Sequence, residues 1–135
     1  MIDYAHLYRQ ALAAREQAYC PYSHFAVGAA LLTVTGEVFC GCNVENASYG
    51  ATLCAERVAV GNAVAAGHKD FVAIAIVGGG ECLVPCPPCG ICRQVLAEFG
   101  FPAMEIVTYE ADGTPIVTRL ADLLPAAFGA AQLDL

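Results

Sequence analysis

Apolar side chains recur at Tyr4, Leu7, Tyr8, Ala11 and Leu12, the three-and-four spacing of a single helical face. The pattern predicts a helix ending near Ala18, because Pro21 and the CPYSHF segment break it. FAVGAALLTV (25–34) then reads as a buried strand, and TGE (35–37) as a tight turn into VFCGCNV, with Gly36 supplying left-handed backbone. ENASYGAT (45–52) is polar and irregular, a loop. CAERVAVGNAVAAG has helical composition and a C-terminal stop at Gly67, and FVAIAIVGG (71–79) is the next strand. The proline- and glycine-rich GECLVPCPPCG is a loop before a second short helix, ICRQVLAEFG. MEIVTYE and TPIVTRL are strands flanking a turn at Ala111-Asp112-Gly113, and LADLLPAAFG is a short helix with a tail. The order α-β-β-α-β-α-β-β-α predicts an α/β fold: one mixed five-stranded sheet with helices on both faces, a three-layer α-β-α sandwich. Cys54 and the pair Cys89/Cys92 then fall where loops leave strands and enter helices, at the end of the sheet where such folds bind ligands.

Length and composition narrow the partners. At 135 residues the chain reads as one domain, residues 1–135. Charged residues are 14% and apolar residues 58%, against about 25% charged in ordinary soluble domains. So apolar a surface predicts an oligomer that buries part of each protomer. A net charge of −7 with only six Lys and Arg argues against nucleic acid, whose binding rests on cations that neutralise phosphates. No apolar run approaches the roughly 18 residues of a membrane span, so no membrane partner is expected. MIDYAHLYRQ lacks the basic-then-apolar pattern of a secretory signal. Eight cysteines without export point to a cytoplasmic protein with reduced thiols, clustered ones being metal ligands rather than disulfides. The count is even, so a disulfide framework stays as the alternative.

CPPCGICRQ (86–94) contains two overlapping C-x-x-C units. In Cys86-Pro87-Pro88-Cys89 neither intervening residue carries an N–H to direct at a sulfur. In Cys89-Gly90-Ile91-Cys92 both do, and this pair also opens a helix, whose positive end favours thiolates. Cys89 and Cys92 are therefore the expected ligands, with Cys54 of Cys54-Ala55-Glu56-Arg57 as the third. Three protein ligands leave one position of a tetrahedral zinc open for water, the pattern of a catalytic site. Glu56 is placed to serve that water. Cys-x-Glu followed by P-C-x-x-C is also the order found in zinc deaminases. Three thiolates and one Zn²⁺ carry a net charge near −1, which Arg57 and two helix N-termini would offset. An exposed Arg57 on an ordinary helix face is the plainer alternative.

At this point the chain resembles a known family. NVENASYG (43–50), CAERVAV (54–60) and PCGICRQV (88–95), with CPYSHFAVGAALLT (20–33) and LLPAAFG (123–129), are together similar to the small homotetrameric cytidine deaminases. The resemblance implies one Zn²⁺ per subunit and hydrolytic deamination of cytidine and deoxycytidine, with ammonia released, in pyrimidine salvage. It further implies that Asn43 and Glu45 hydrogen-bond the ribose 3′-hydroxyl and that Phe25 packs on the pyrimidine. Ala55 and Glu56 would hold the O2 and N3 edge of the base, with Glu56 moving protons to N3 and then to the leaving amine. Ala47, Tyr49 and Phe128 would reach a neighbouring subunit's site, placing complete sites at subunit interfaces. Where the family often carries Ser or Thr, this chain has Pro87, whose carbonyl remains to receive the amine.

Other readings compete. A structural zinc module would draw four sulfurs from Cys82, Cys86, Cys89 and Cys92, leaving Glu56 without a task. A C-x-x-C redox protein is disfavoured, because the first strand-to-helix loop lacks that motif. A deaminase of a related aminopyrimidine nucleoside such as blasticidin S would share the zinc motifs. Taken alone, Tyr49 and Phe128 read as core or interface packing, and Phe25 equally as core. Cys20, Cys40 and Cys42 read as small apolar packing groups, and His6, His24 and His68 as structural or surface groups.

Overall fold

The computed structural model describes residues 1–133. Helix α1 spans Tyr4–Arg15, and the Asp3 side chain caps it by accepting from the His6 N–H at 3.0 Å. It stops short of the expected Ala18. The chain is drawn away there: the Tyr19 N–H donates to the Asn43 carbonyl at 2.9 Å, and Tyr19 pairs with Val44 in a short parallel bridge.

Strands β1 (Ala26–Thr33) and β2 (Val38–Cys42) form the first hairpin, turning at Gly36 with φ of 90°. Helix α2 is Ala55–Ala65, strand β3 Phe71–Gly79, helix α3 Gly90–Ala97. Strands β5 (Glu105–Tyr109) and β6 (Pro115–Arg119) lead into the short helix α4, Leu120–Leu123. The sheet order is β2-β1-β3-β5-β6, with β3 and β5 parallel and the other neighbours antiparallel. The five strands and mixed sheet expected from the sequence are present. A sixth strand, β4 (Leu83–Val84), lies in the segment read as loop and pairs with the end of β3. Two residues between glycines and prolines are too few to show a period.

Alternation along the strands makes two cores. Ala29, Leu31, Ile74, Ile76 and Ile106 face α2, α3 and α4, together with Leu96 and Leu120. Ala30, Ala73, Ala75, Val77 and Val107 face α1 through Leu7 and Ala11. The helices therefore sit on both faces, as the element order implies.

Two glycines bring helix backbones against the sheet. A Cβ on Gly28 would lie 2.0 Å from the Ala11 carbonyl oxygen, and one on Gly41 would lie 2.5 Å from both Ala55 O and Ala59 N. The second contact seats the start of α2, where Cys54 and Glu56 stand. Gly41→Ala is expected to lower unfolding free energy by about 1–3 kcal/mol through overpacking, measurable by denaturant titration.

Both β2 and β3 run antiparallel to β1, so their C-terminal ends lie at the same edge of the sheet. The chain leaves β2 for Cys54 and leaves β3 for Cys89. That edge is where the site forms.

Candidate metal centre and substrate cleft

Cys54 is the N-cap of α2 and Cys89 the N-cap of α3, yet neither sulfur caps a backbone N–H. Each thiol is thus left at the positive end of a helix. Cys92, one turn into α3, is fully buried. The three sulfurs lie within 4.8 Å of one another, and those of Cys54 and Cys89 are 3.9 Å apart across 35 positions of sequence. With Zn–S bonds of about 2.3 Å, tetrahedral geometry wants sulfurs about 3.8 Å apart. The cluster fits that ion, and all-thiolate donors suit zinc among divalent metals. Among the described residues no other group of cysteine, histidine and carboxylate side chains gathers in this way. Cys82 is exposed and Cys86 lies outside the cluster, which corrects the four-sulfur structural module drawn from 82, 86, 89 and 92. No cysteines are paired among the described residues, so the disulfide reading finds no support in the structure.

Cys54 is the thiol with the strongest claim to a negative charge. A hydrogen bond from Cys92 is the main cause, aided against desolvation by Arg57, and its pKa is pulled down to about 5. The Arg57 Nη2 donates to the Cys54 sulfur at 3.5 Å and to the Thr52 carbonyl at 3.2 Å. Arg57 is therefore turned inward rather than lying on an open helix face. Its Nε is buried without a partner among the described residues, an orphan cation donor that suits a neighbouring excess of thiolate charge.

Glu56 is 5% exposed. Burial is the main force on its carboxyl, raising the pKa to about 7, with the negative Cys54 adding to the rise and a backbone N–H and Arg57 opposing it. A group at that value gives and takes a proton near neutral pH.

A cleft of about 290 Å³ opens onto this cluster. It is lined by Cys54, Ala55, Glu56, Pro87 and Cys89 together with Phe25, Asn43 and Glu45. Asn43 is nearly buried; its Oδ1 accepts from Val27 N–H at 2.9 Å and its Nδ2 donates to the Phe25 carbonyl at 2.8 Å. One amide hydrogen of Asn43 is thus left for another acceptor.

Not every expected residue reaches the cleft. Ala47 is exposed, Tyr49 is 75% exposed and stacks edge-on against Tyr22, and Phe128 is 58% exposed, its carbonyl accepting from Gln94 Nε2 at 2.9 Å. Within one chain these three stand outside.

The structure also brings in residues that motif reasoning passes over. Ser23, Val27 and Thr52 line the cleft, as does Cys86, whose burial pushes its thiol up to about 11 and keeps it neutral. Arg93 holds the P-C-x-x-C loop: its Nε donates to the Pro88 carbonyl at 2.8 Å and its Nη1 to Leu123 at 2.9 Å. Arg15 ties the start of β1 to the end of β3, with bonds of 2.8 Å to the carbonyls of Ala26 and Gly79. A lone arginine in a helix carries no pattern that announces such a partner.

A mixed sheet covered on both faces, with three thiols and a buried carboxylate where two helices begin, defines a zinc-dependent hydrolase of the nucleobase-deaminating class. The sequence profile described as "Cytidine and deoxycytidylate deaminase zinc-binding region" matches residues 1–108, and the chain belongs to that family. It is 46% identical over 133 residues to a cytidine deaminase of Sporosarcina psychrophila, covering 98% of this chain and 96% of that one. The crystal structure of cytidine deaminase from Burkholderia pseudomallei superposes with a TM-score of 0.87 at 53% identity, covering 94% of this chain and all of that one. A blasticidin-S deaminase of Bacillus cereus is more distant, 31% identical over 108 residues and 76% of each chain. The cofactor is zinc.

Proposed function

We infer that the protein hydrolyses cytidine and deoxycytidine to uridine and deoxyuridine, releasing ammonia, as a pyrimidine-salvage enzyme of the cytoplasm. The observation that carries this reading is a three-thiol cluster and a buried Glu56 in one cleft with Phe25, Asn43 and Glu45. Residues 1–135 act as one catalytic domain.

Cys54, Cys89 and Cys92 hold the ion, which when bound acidifies a water toward neutral pH and so supplies the nucleophile for C4 of the base. Glu56 takes the water proton on its carboxylate and passes it to N3. It then takes the proton of the new hydroxyl at C4 and delivers it to the exocyclic amine, so that the C4–O bond becomes a carbonyl as the C4–N bond breaks and ammonia leaves. Its buried position and raised pKa support this double role. The Ala55 backbone holds the O2 edge, Phe25 packs on the ring, and the Pro87 carbonyl receives the amine. Arg57 offsets the charge of the three thiolates. Asn43 and Glu45 bind the ribose 3′-hydroxyl.

The cleft favours a nucleoside over a nucleotide. Among the described residues no lysine or arginine lines it to pair with a phosphate. Both the lower identity and the shorter overlap with the blasticidin-S enzyme favour cytidine.

A homotetramer completes the site. Tyr22, Phe25, Tyr49 and Phe128 are exposed aromatic side chains that assembly would cover, and Ala47, Tyr49 and Phe128 close a neighbour's pocket. No helix among the described residues is long and apolar enough to cross a membrane. An ultraviolet assay of cytidine conversion tests the function: activity is expected to vanish on chelation and return with added zinc. Light scattering of the same sample is expected to give four chains per particle; a monomer with full activity would refute the shared site.

A further inference from the structure

Glu45 is held more elaborately than a simple surface carboxylate. Its Oε1 accepts from the backbone N–H groups of Tyr22 at 3.0 Å and Ser23 at 3.1 Å, while its Oε2 accepts from the Ser23 hydroxyl. A carboxylate offers about four lone-pair sites over its two oxygens. Three are taken by the protein, so one acceptor site remains, on Oε2.

The Ser23 oxygen has a second bond. It accepts from the Phe25 N–H at 3.0 Å, and the Phe25 carbonyl in turn accepts from Asn43 Nδ2 at 2.8 Å. One hydroxyl therefore ties the sugar-facing carboxylate to the aromatic wall of the base pocket, and Asn43 closes the ring of contacts from the other side. His24, between them, has left-handed backbone (φ 55°), a conformation sparsely populated by residues that carry a side chain. The turn is thus held by these bonds rather than chosen by local preference. Ser23 and Glu45 line both the 290 Å³ cleft and an adjoining cavity of about 370 Å³ bounded by Tyr22, Tyr49 and Thr52. The pair stands where the two spaces meet.

We propose that Ser23 is the positioning residue for sugar recognition, fixing Glu45 so that its single remaining acceptor site selects a substrate carrying the ribose 3′-hydroxyl. The proposal deepens the functional reading above and rests on it. Among the described residues the side chain of Ser23 hydrogen-bonds Glu45 and the Phe25 N–H, and not the clustered sulfurs or Glu56, so its effect falls on binding rather than on proton transfer. A serine that served only to brace the 20–25 turn would affect every substrate alike.

The test compares the intact protein with Ser23→Ala and Ser23→Thr, each assayed with cytidine and with 3′-deoxycytidine. For Ser23→Ala, the KM for cytidine is expected to rise about 10-fold, the effect of losing one hydrogen bond to a charged group. The kcat should stay within about twofold, the pattern of lost uniform binding. Activity of wild type on 3′-deoxycytidine is expected to be lower from the outset and to change little in the variant. Ser23→Thr, which keeps the hydroxyl, should restore the cytidine KM. Equal losses on both substrates, no loss on cytidine, or failure of threonine to rescue would each overturn the proposal. A wild-type protein inactive on cytidine would instead bring down the functional reading, and this proposal with it.

Discussion

Glu56→Gln is expected to bind zinc and fold as wild type does while its kcat for cytidine falls by about 10²–10⁴-fold, the range that general acid–base groups supply. Glutamine matches glutamate in shape, so the buried position at the start of α2 remains filled and no cavity opens. The amide cannot ionise. It therefore cannot accept the water proton, and it has none to pass to N3 or to the departing amine. The side chain at 56 is not among the clustered sulfurs, so zinc measured by atomic emission should stay near one per chain. KM should change less than kcat, because the contacts assigned to Phe25 on the ring, Ala55 on O2, and Asn43 and Glu45 on the sugar are untouched. Turnover close to wild type in a zinc-loaded variant would remove Glu56 from the reaction.

Cys89→Ala is expected to lower bound zinc from near one per chain to near zero, with activity lost in parallel. Removing one of three thiolates leaves two protein donors, too few to retain an ion that is usually four-coordinate. Cys86→Ala is the informative control. The neutral Cys86 thiol lines the cleft but lies outside the sulfur cluster, so zinc content should not change. Loss of zinc in Cys86→Ala and its retention in Cys89→Ala would put Cys86 in the place of Cys89 among the ligands. Unfolding is not the expected cause of zinc loss in Cys89→Ala, since Cys89 is exposed and leaves no large cavity.

Much of the site was legible because its chemistry is local. The choice of Cys89-Gly-Ile-Cys92 over Cys86-Pro-Pro-Cys89 follows from which residues own an N–H, and Cys89 does stand at the N-terminal boundary of α3. Glu56 was placed by standing two residues beyond a candidate ligand, and its burial follows from the first turn of α2 packing down on the sheet. The strands were legible where alternation or unbroken apolar runs extended over five residues or more. β4, two residues long, was not.

Other features depend on contacts between distant segments. The end of α1 is set at Arg15 because the following residues pair with Asn43 and Val44, which periodicity within the helix cannot register. Ser23 gains its grip on Glu45 only when the 20–25 turn lies beside the end of β2. Arg93 and Arg15 find their carbonyl partners 5 to 64 positions away along the chain. Ala47, Tyr49 and Phe128 illustrate a further limit: the motif that suggests them as site residues does not bring them into the cleft of their own protomer.

By itself the amino-acid order determined the kinds of donor, the helix starts that carry them and the two-faced character of the sheet, all consequences of short-range spacing and backbone chemistry. The tertiary structure alone decided that Cys54 comes within 3.9 Å of Cys89, and which oxygen of Glu45 remains open. The physical reason is the same in both cases. β2 and β3 must each pair antiparallel with β1 to satisfy their backbone hydrogen bonds, and that pairing delivers two remote loops to one edge of the sheet.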